Sequence, residues 1–438
     1  MQQDTLGLNL STQSQDAATA YDAALTDFME HRLSTSAHIK KSLEADPEFV
    51  MGLCFRGYVL MQLGSIAIYD KVESVVQQLK SIAQDATQRE REHIQALEFW
   101  LAGRVSESCK IWQDILVHTP HDLLALRLHH FMSFWQGHRE DLRSLPASVL
   151  GQIDESTPGY SYVLGMFAFG LEECGDYQRA EECGRKAVAM NKEDLWALHS
   201  IAHVLEMQGR FDDGLTLLDQ PFGIWQDRNP FKDHVWWHTA LFALERDEHD
   251  RVLDFYDREV RIDEIGFYLD FQNAASLLMR LELHGVDVGE RWTELADMAE
   301  TRKEDHVMPF TDMHFMLALA GAKRTQSGND YITSLEDFSS RKDNDAAQVT
   351  AALGLPIARF LQDYAEGNFN NAVDTLLPIR HDLAPLGGSH AQQDILNQML
   401  IDATMRHGRV DLARSLLTER AVLKPNSKWA HRQLEKLV

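Results

Sequence analysis

The histidines near position 200 have a spacing that could do chemistry. His199, His203 and Glu206 lie at i, i+4 and i+7. On an α-helix, at about 100° per residue, their side chains project within roughly 60° of one another. Two imidazoles one turn apart can chelate a divalent metal ion, and a nearby carboxylate can orient an imidazole or act as a base. The triplet therefore predicts a polar functional face on one helix.

A second helix repeats part of this pattern. Leu-Glu pairs at 205–206 and 244–245 are 39 residues apart, an offset that maps His199 onto His238. His234 lies one turn before His238, so the two imidazoles share a face. The two helices are therefore expected to present their histidines side by side.

Three interpretations of this face compete. The first is a metal site formed by His199, His203 and His238, for which Zn, Fe, Mn and Ni are chemically suitable ions. The second is a metal-free pocket in which His/Glu pairs bind or process a small molecule. The third is a polar lining whose imidazoles bond only to a Glu or a carbonyl. For an enzyme, the catalytic candidates are His199, His203, Glu206 and His238, although Ser200 excludes the His-Glu-x-x-His motif of zinc peptidases.

Other side chains are predicted to line the same groove. Tryptophans would supply its apolar walls, and the loop Gly387-Gly388-Ser389-His390 could close over it or be an ordinary turn and helix cap. The predicted ligand-binding residues are Trp196, His234, Trp237, Glu245, His314 and His390. A peptide or small cationic ligand would be captured by an acidic row of Glu172, Glu206, Glu245 and Glu282.

Charge and composition restrict the partners. The 438 residues include 42 Lys+Arg and 67 Asp+Glu, a formal net charge of −25. Nucleic acids and anionic membranes need basic surfaces, so neither is an expected partner. Four cysteines without Cys-x-x-Cys spacing, together with no signal peptide and no apolar run of membrane-spanning length, favour a cytoplasmic protein. No nucleotide, flavin or haem motif occurs, so a divalent metal ion is the only cofactor that the sequence suggests, and the oligomeric state stays open.

The elements that must position these side chains are helices in a repeat. Gly103 and Gly137 lie 34 residues apart, as do Gly175 and Gly209, and 34 is the tetratricopeptide period. Glycine and proline are scarce, which favours long helices. We therefore predict an all-α superhelical solenoid of about nine to twelve tetratricopeptide-like helical hairpins.

The repeats are expected to form a single domain over 1–438. Their pattern is clearest at 89–137 and 161–290, and C-terminal repeats are expected at about 350–438. Residues 1–17 are a candidate disordered segment, and the polar stretch from Lys323 to Asn344 reads as a loop or a weak repeat.

Several segments also resemble a known family. The sequences at 199–206, 234–241, 312–321 and 387–394 keep the order and the motifs of the tetratricopeptide repeat protein 38 family, and the likeness spans nearly the whole chain. The resemblance implies a helical-repeat fold and no established activity.

Overall fold

The computed structural model describes residues 1–262 and 266–437. The chain forms two compact units. Unit 1 contains residues 1–201, 225–229 and 343–345, and unit 2 contains residues 202–224, 230–342 and 346–438. The prediction of one continuous repeat domain stays a prediction.

Unit 1 is made of helices and one small β-hairpin. Its elements are β1 Gln2–Gln3, β2 Asn9–Leu10, α1 Gln15–Met29, α2 Thr35–Ala45, α3 Val50–Met61, α4 Tyr69–Ile82, α5 Gln88–Leu101, α6 Val105–His118, α7 Leu123–Trp135, α8 Arg139–Leu150, α9 Tyr160–Glu173 and α10 Tyr177–Met190. Helix α11, Leu195–Met207, belongs to unit 1 up to Ile201 and to unit 2 from Ala202. The N-terminal residues differ from the expected disorder, because β1 pairs with β2 antiparallel and Leu10 is fully buried.

Unit 2 continues with helices. They are α12 Phe211–Leu218, α13 Phe231–Glu245, α14 His249–Phe255, α15 Tyr268–Leu283, α16 Arg291–Thr301, α17 Pro309–Gly321, α18 Thr325–Phe338, α19 Asp345–Val349, α20 Leu355–Ala365, α21 Phe369–Leu376, α22 His390–Arg406, α23 Val410–Leu423 and α24 Lys428–Glu435. The stretch after Lys323 is therefore a regular helix, α18, and not a loop.

Each hairpin turns at a residue with a positive φ angle. At Gly209, the N–H of Gly209 bonds to the carbonyl of Glu206 and the N–H of Arg210 bonds to the carbonyl of Leu205. This pair of bonds is a Schellman motif, whose left-handed residue is usually glycine because a Cβ atom is disfavoured there. The prediction of an all-α solenoid of tetratricopeptide-like hairpins is confirmed.

The turn positions also correct the repeat offset. After Gly209, the next turn is made by Asp247, with φ 66°, and Gly285 and Lys323 follow at further intervals of 38 residues. The offset from α11 to α13 is thus 38 at the turn and not the 39 inferred from the Leu-Glu pairs. Conserving the letters Leu-Glu hid a one-residue shift, because Asp can replace Gly in the left-handed conformation.

The first helices of the unit 2 hairpins are buried on every side. All residues of α13 from Val235 to Leu244 are buried, and in α17 the same holds from Pro309 to Ala320. The second helices bury only one stripe, as Val252 and Phe255 do in α14. A first helix that lined an open groove would expose its inner face. Within unit 2, the later helix α22 packs against α15 and covers part of that face.

Candidate functional site

The centre of unit 2 holds three imidazoles from two helices. His203 comes from α11, and His234 and His238 lie one turn apart on α13. We call these three residues the imidazole cluster. The ring centroids of His203 and His238 are 4.5 Å apart, and those of His234 and His238 are 4.8 Å apart. One ring nitrogen of each residue lies within 4.8 Å of the others, and all three side chains are buried.

Hydrogen bonds fix the orientation of two of these rings. The Nδ1 of His238 donates to Glu206 Oε2 at 2.9 Å, because an ionised carboxylate can only accept. The Nδ1 of His234 donates to Asn273 Oδ1 at 2.8 Å. In a neutral imidazole, a protonated Nδ1 leaves the lone pair on Nε2. Both rings are therefore held as tautomers with a basic Nε2.

Burial keeps the imidazole cluster neutral. It lowers the pKa of His234 and of His238 to about 3, with His238 adding to the effect on His234. Arg280 and Lys424 lower the pKa of His238 further. The pKa of His203 lies well below its usual value, through burial and then the neighbouring His238. At neutral pH the three rings are therefore uncharged.

Beside the cluster lies a group of buried ionic side chains. Arg420 donates to both carboxylate oxygens of Asp394, and its Nη2 lies 2.9 Å from Oδ2. The Nζ of Lys424 is 3.5 Å from Asp394 and 3.7 Å from Glu206. Arg280 donates to the carbonyl of Ala391 at 2.8 Å, and burial lowers its pKa to about 10.

These side chains enclose a small cavity. It has a volume of about 20 Å³ and is lined by Glu206, Glu245, Arg280, Asp394 and Lys424, among others. A space of that size holds about one water molecule. While the surrounding helices are packed in this way, the cavity has no room for an organic ligand.

The residues after α23 contact the ends of three earlier helices. Asn426 Nδ2 donates to the carbonyl of Gly209 at 3.1 Å, beyond the end of α11. Ser427 Oγ donates to Glu245 Oε1 at 3.3 Å, at the end of α13. Trp429 Nε1 donates to the carbonyl of Leu283, the last residue of α15, at 3.0 Å. We call residues 424–432 the docked segment.

Charge pairs extend this contact to the molecular surface. Arg432 lies 2.7 Å and Lys428 3.6 Å from carboxylate oxygens of Asp247, the turn residue after α13. Lys428 also donates to the carbonyl of Arg246 at 3.2 Å. The docked segment thus supplies the cations and donors, and the helix ends supply the acceptors.

Two predicted site residues belong to unit 1. His199 and Trp196 lie on the first part of α11 with ring centroids 5.1 Å apart, and both rings contact Phe169. The guanidinium of Arg127 lies 4.3 Å from the centroid of the Trp196 ring. Both side chains are buried. The acidic residue Glu172 is also buried in unit 1, on α9.

Two other predicted residues have local contacts. The Nδ1 of His314 donates to the carbonyl of Phe310 in its own helix, α17, at 2.8 Å. Glu282 accepts from Trp292 Nε1 at 3.0 Å, and burial raises its pKa. Neither residue lines the cavity of the ionic group.

The Gly387-Gly388 loop is a helix cap. Ser389 and Gln392 form a capping box at the start of α22, the second of the two alternatives for this loop. His390 is the first residue of α22 and is an electrostatic neighbour of His203. Trp237 stacks on His234, with centroids 5.2 Å apart, and donates to Ser276 Oγ at 3.0 Å.

Sequence reasoning missed the cations of the site. Arg280, Arg420 and Lys424 lie far apart in the chain and share no motif, so only tertiary packing places them together. Asn273 was missed as well. The signal that could have found it is its distance of 39 residues from His234, the offset of one repeat.

The fold and the site define an all-α helical-repeat protein of the tetratricopeptide type. No family model matches the chain. The crystal structure of the yeast Tom70 aligns with 96% of the chain and 87% of its own, at 14% identity and a TM-score of 0.34. The structure of Naa15/Naa10 bound to HypK-THB aligns with 96% of the chain and 65% of its own, at 10% identity and a TM-score of 0.24. Identities and scores this low carry no inference about a ligand, a partner or an activity.

The described residues contain no helix that is both long enough and apolar enough to span a bilayer.

Proposed function

We propose that unit 2 is a binding module for a basic peptide segment. The observation that carries this proposal is the docked segment, residues 424–432, whose side chains contact the C-terminal ends of α11, α13 and α15. In this proposal the chain's own segment is the resting occupant, and a partner peptide of similar chemistry competes with it.

The helix ends have the chemistry that such a peptide needs. The last carbonyl groups of a helix have no partner within the helix, and the helix dipole makes this end negative. Here Glu206, Glu245 and Asp247 add carboxylates to three adjacent ends. A peptide with lysines, arginines and amide or hydroxyl donors complements this surface.

An aromatic anchor supports the choice of a peptide. Trp429 is buried to 99% of its surface, and Arg420 lies 5.3 Å from its ring centroid. Buried tryptophans flanked by polar contacts dominate the energy of many binding surfaces. The surface ion pairs of Lys428 and Arg432 with Asp247 contribute less, because solvent screens them.

The other functions considered for the groove have weaker support. A small-molecule ligand would need more than the cavity of about 20 Å³. An enzyme that uses His199, His203, Glu206 and His238 stays a prediction. Since a general base works best with a pKa near the working pH, a His238 with a pKa of about 3 is a weak base at neutral pH. Membership of the tetratricopeptide repeat protein 38 family likewise stays a proposal.

A labelled synthetic peptide of residues 420–437 tests the proposal. The full-length Lys424→Ala/Trp429→Ala variant weakens the docked segment, and we expect it to bind the peptide in fluorescence anisotropy. The wild type should bind it at least about tenfold more weakly, because its tethered segment competes at a high effective concentration. A folded variant that fails to bind the peptide would contradict the proposal.

Matched variants locate the binding surface. In the same background, Glu206→Gln/Glu245→Gln should weaken peptide binding by about tenfold or more, since two carboxylates are lost. Glu304→Gln, which removes an exposed carboxylate of unit 2, should leave binding unchanged. Equal effects of the two changes would show that the peptide responds only to net charge, and the surface would be misassigned.

A further inference from the structure

We infer that His203, His234 and His238 form a binding site for a divalent transition-metal ion of the zinc type. This ligand set differs from the set His199, His203 and His238 that the sequence suggests, because His234 replaces His199. The inference is independent of the peptide-binding proposal, since it involves neither Lys424 nor the docked segment.

The first argument is geometric. The three ring nitrogens lie within 4.8 Å of one another. Zinc–nitrogen bonds of about 2.0–2.1 Å in a tetrahedral site would place the nitrogens about 3.3 Å apart. Small side-chain rotations close that difference, because His234 and His238 are on one helix, at i and i+4, and His203 faces them from α11. Three imidazoles leave the fourth position of a tetrahedral ion open for water.

The second argument is the support behind the rings. Histidines that bind metal ions usually donate their other N–H to a carboxylate or carbonyl, which fixes the tautomer and the ring orientation. His238 donates its Nδ1–H to Glu206, and His234 donates its Nδ1–H to Asn273. Both rings therefore have the protonation that metal binding through Nε2 requires.

The third argument is electrostatic. Imidazoles bind metal ions only in the neutral form, and burial keeps these rings neutral at physiological pH. Arg280 and Lys424 face His238 from α15 and from the residue after α23, while Glu206 and Asp394 supply compensating charge. An all-nitrogen ligand set favours zinc, cobalt, nickel or copper ions over calcium and magnesium, which prefer oxygen ligands.

Cobalt(II) is the probe for the experiment, because tetrahedral cobalt has a strong visible absorption. Untagged full-length protein, stripped of metal by a chelator, is titrated with Co²⁺ and then with Zn²⁺. We expect one equivalent of Co²⁺ to produce the visible band and Zn²⁺ to remove it. Absence of the band in the folded wild type would overturn the inference.

Ligand variants and a matched control assign the residues. His203→Gln and His238→Gln should lose the band, whereas His314→Gln should keep it, because His314 is an equally buried histidine bonded within its own helix. Unchanged Co²⁺ binding in the first two variants would overturn the assignment.

Two positioning variants decide the matter if the ligand variants do not fold. Glu206→Gln and Asn273→Ala keep all three imidazoles and remove the bonds that orient them. We expect each to weaken Co²⁺ binding by about 10–100-fold while the visible band keeps its position. Unchanged affinity in both would overturn the inference, and so would a loss of folding without any change in affinity.

Discussion

At the scale of single residues, burial acts differently on two kinds of polar group in unit 2. His238 loses its charge, because burial lowers its pKa and no anion compensates fully. Asp394 keeps its charge, because Arg420 and Lys424 hold its pKa well below the usual value in spite of burial. Neutral ligands and paired ions can therefore lie side by side in one core, each stabilised by different neighbours.

The pair of Asp394 and Arg420 gives a prediction at this scale. Asp394→Asn should lower the free energy of unfolding by about 3–5 kcal/mol, because it leaves the buried guanidinium of Arg420 without its anion. Urea unfolding followed by circular dichroism measures the change. Asp411→Asn removes an exposed carboxylate and should have little effect. A loss for Asp394→Asn no larger than that of the control would show that the buried pair contributes no net stability.

At the scale of elements, the two helices of a hairpin have different roles. First helices such as α13 and α15 carry the imidazoles and the ionic side chains and are buried on all sides. Second helices such as α16 bury one stripe and leave their polar face in water. A left-handed residue between them ends the first helix and starts the second, so the turn determines how each pair of helices is aligned.

The turn at Lys323 gives a prediction about hairpin stability. Its φ of 57° places a Cβ atom in a conformation that costs about 1–2 kcal/mol for residues other than glycine. Lys323→Gly should therefore be more stable than Lys323→Ala by about 1 kcal/mol, since both lose the same charge and only alanine keeps the Cβ atom. The midpoint of thermal unfolding compares the two variants. Equal midpoints would mean that the turn relaxes without strain.

At the scale of the whole molecule, neutral buried histidines occur in both units. Burial is the first cause of the lowered pKa in each, and the histidines are His31, His129, His130, His203, His234, His238, His284 and His314. Asp4 and Asp194 have the opposite effect, because burial raises their pKa values to about 6 and about 7. The histidines outnumber these two carboxyl groups among the described residues.

The pH dependence of stability follows from this balance. Below pH 6.5 the unfolded chain takes up protons at these histidines and the folded chain does not, so stability falls as the pH falls toward about 3. Asp4 and Asp194 reduce this loss, since in the folded state they hold protons above pH 3.8. We expect the urea midpoint to drop between pH 7.5 and 5.5.

One histidine serves as the check on the sign and the size. For His314, with a folded pKa of about 3, the loss at pH 5.5 is about 1.4 kcal/mol. His314→Gln should remove about that much of the pH dependence, measured as the difference in unfolding free energy between the two pH values. A variant whose pH dependence equals that of the wild type would contradict the assignment of a neutral, buried His314.

Much of the fold could be predicted because local signals determine it. Glycines at hairpin turns repeat at a fixed interval, and a helix cap such as that at Ser389 needs only nearby residues. The pairing of His234 with His238 followed from the helical period alone. The offset to α13 was misjudged by one residue, because Asp247 took the conformation that a glycine usually adopts.

The sequence by itself determined the helical class, the hairpin turns and which histidines share a helix face, since these depend on residues within about one turn or one repeat. Only the tertiary structure decided that the first helices of unit 2 are covered by α22 and the docked segment. Lys424 meets Glu206 across more than two hundred residues of chain, and Arg280 meets Ala391 across more than one hundred. Such contacts depend on packing summed over many repeats, and no local pattern of residues encodes that sum.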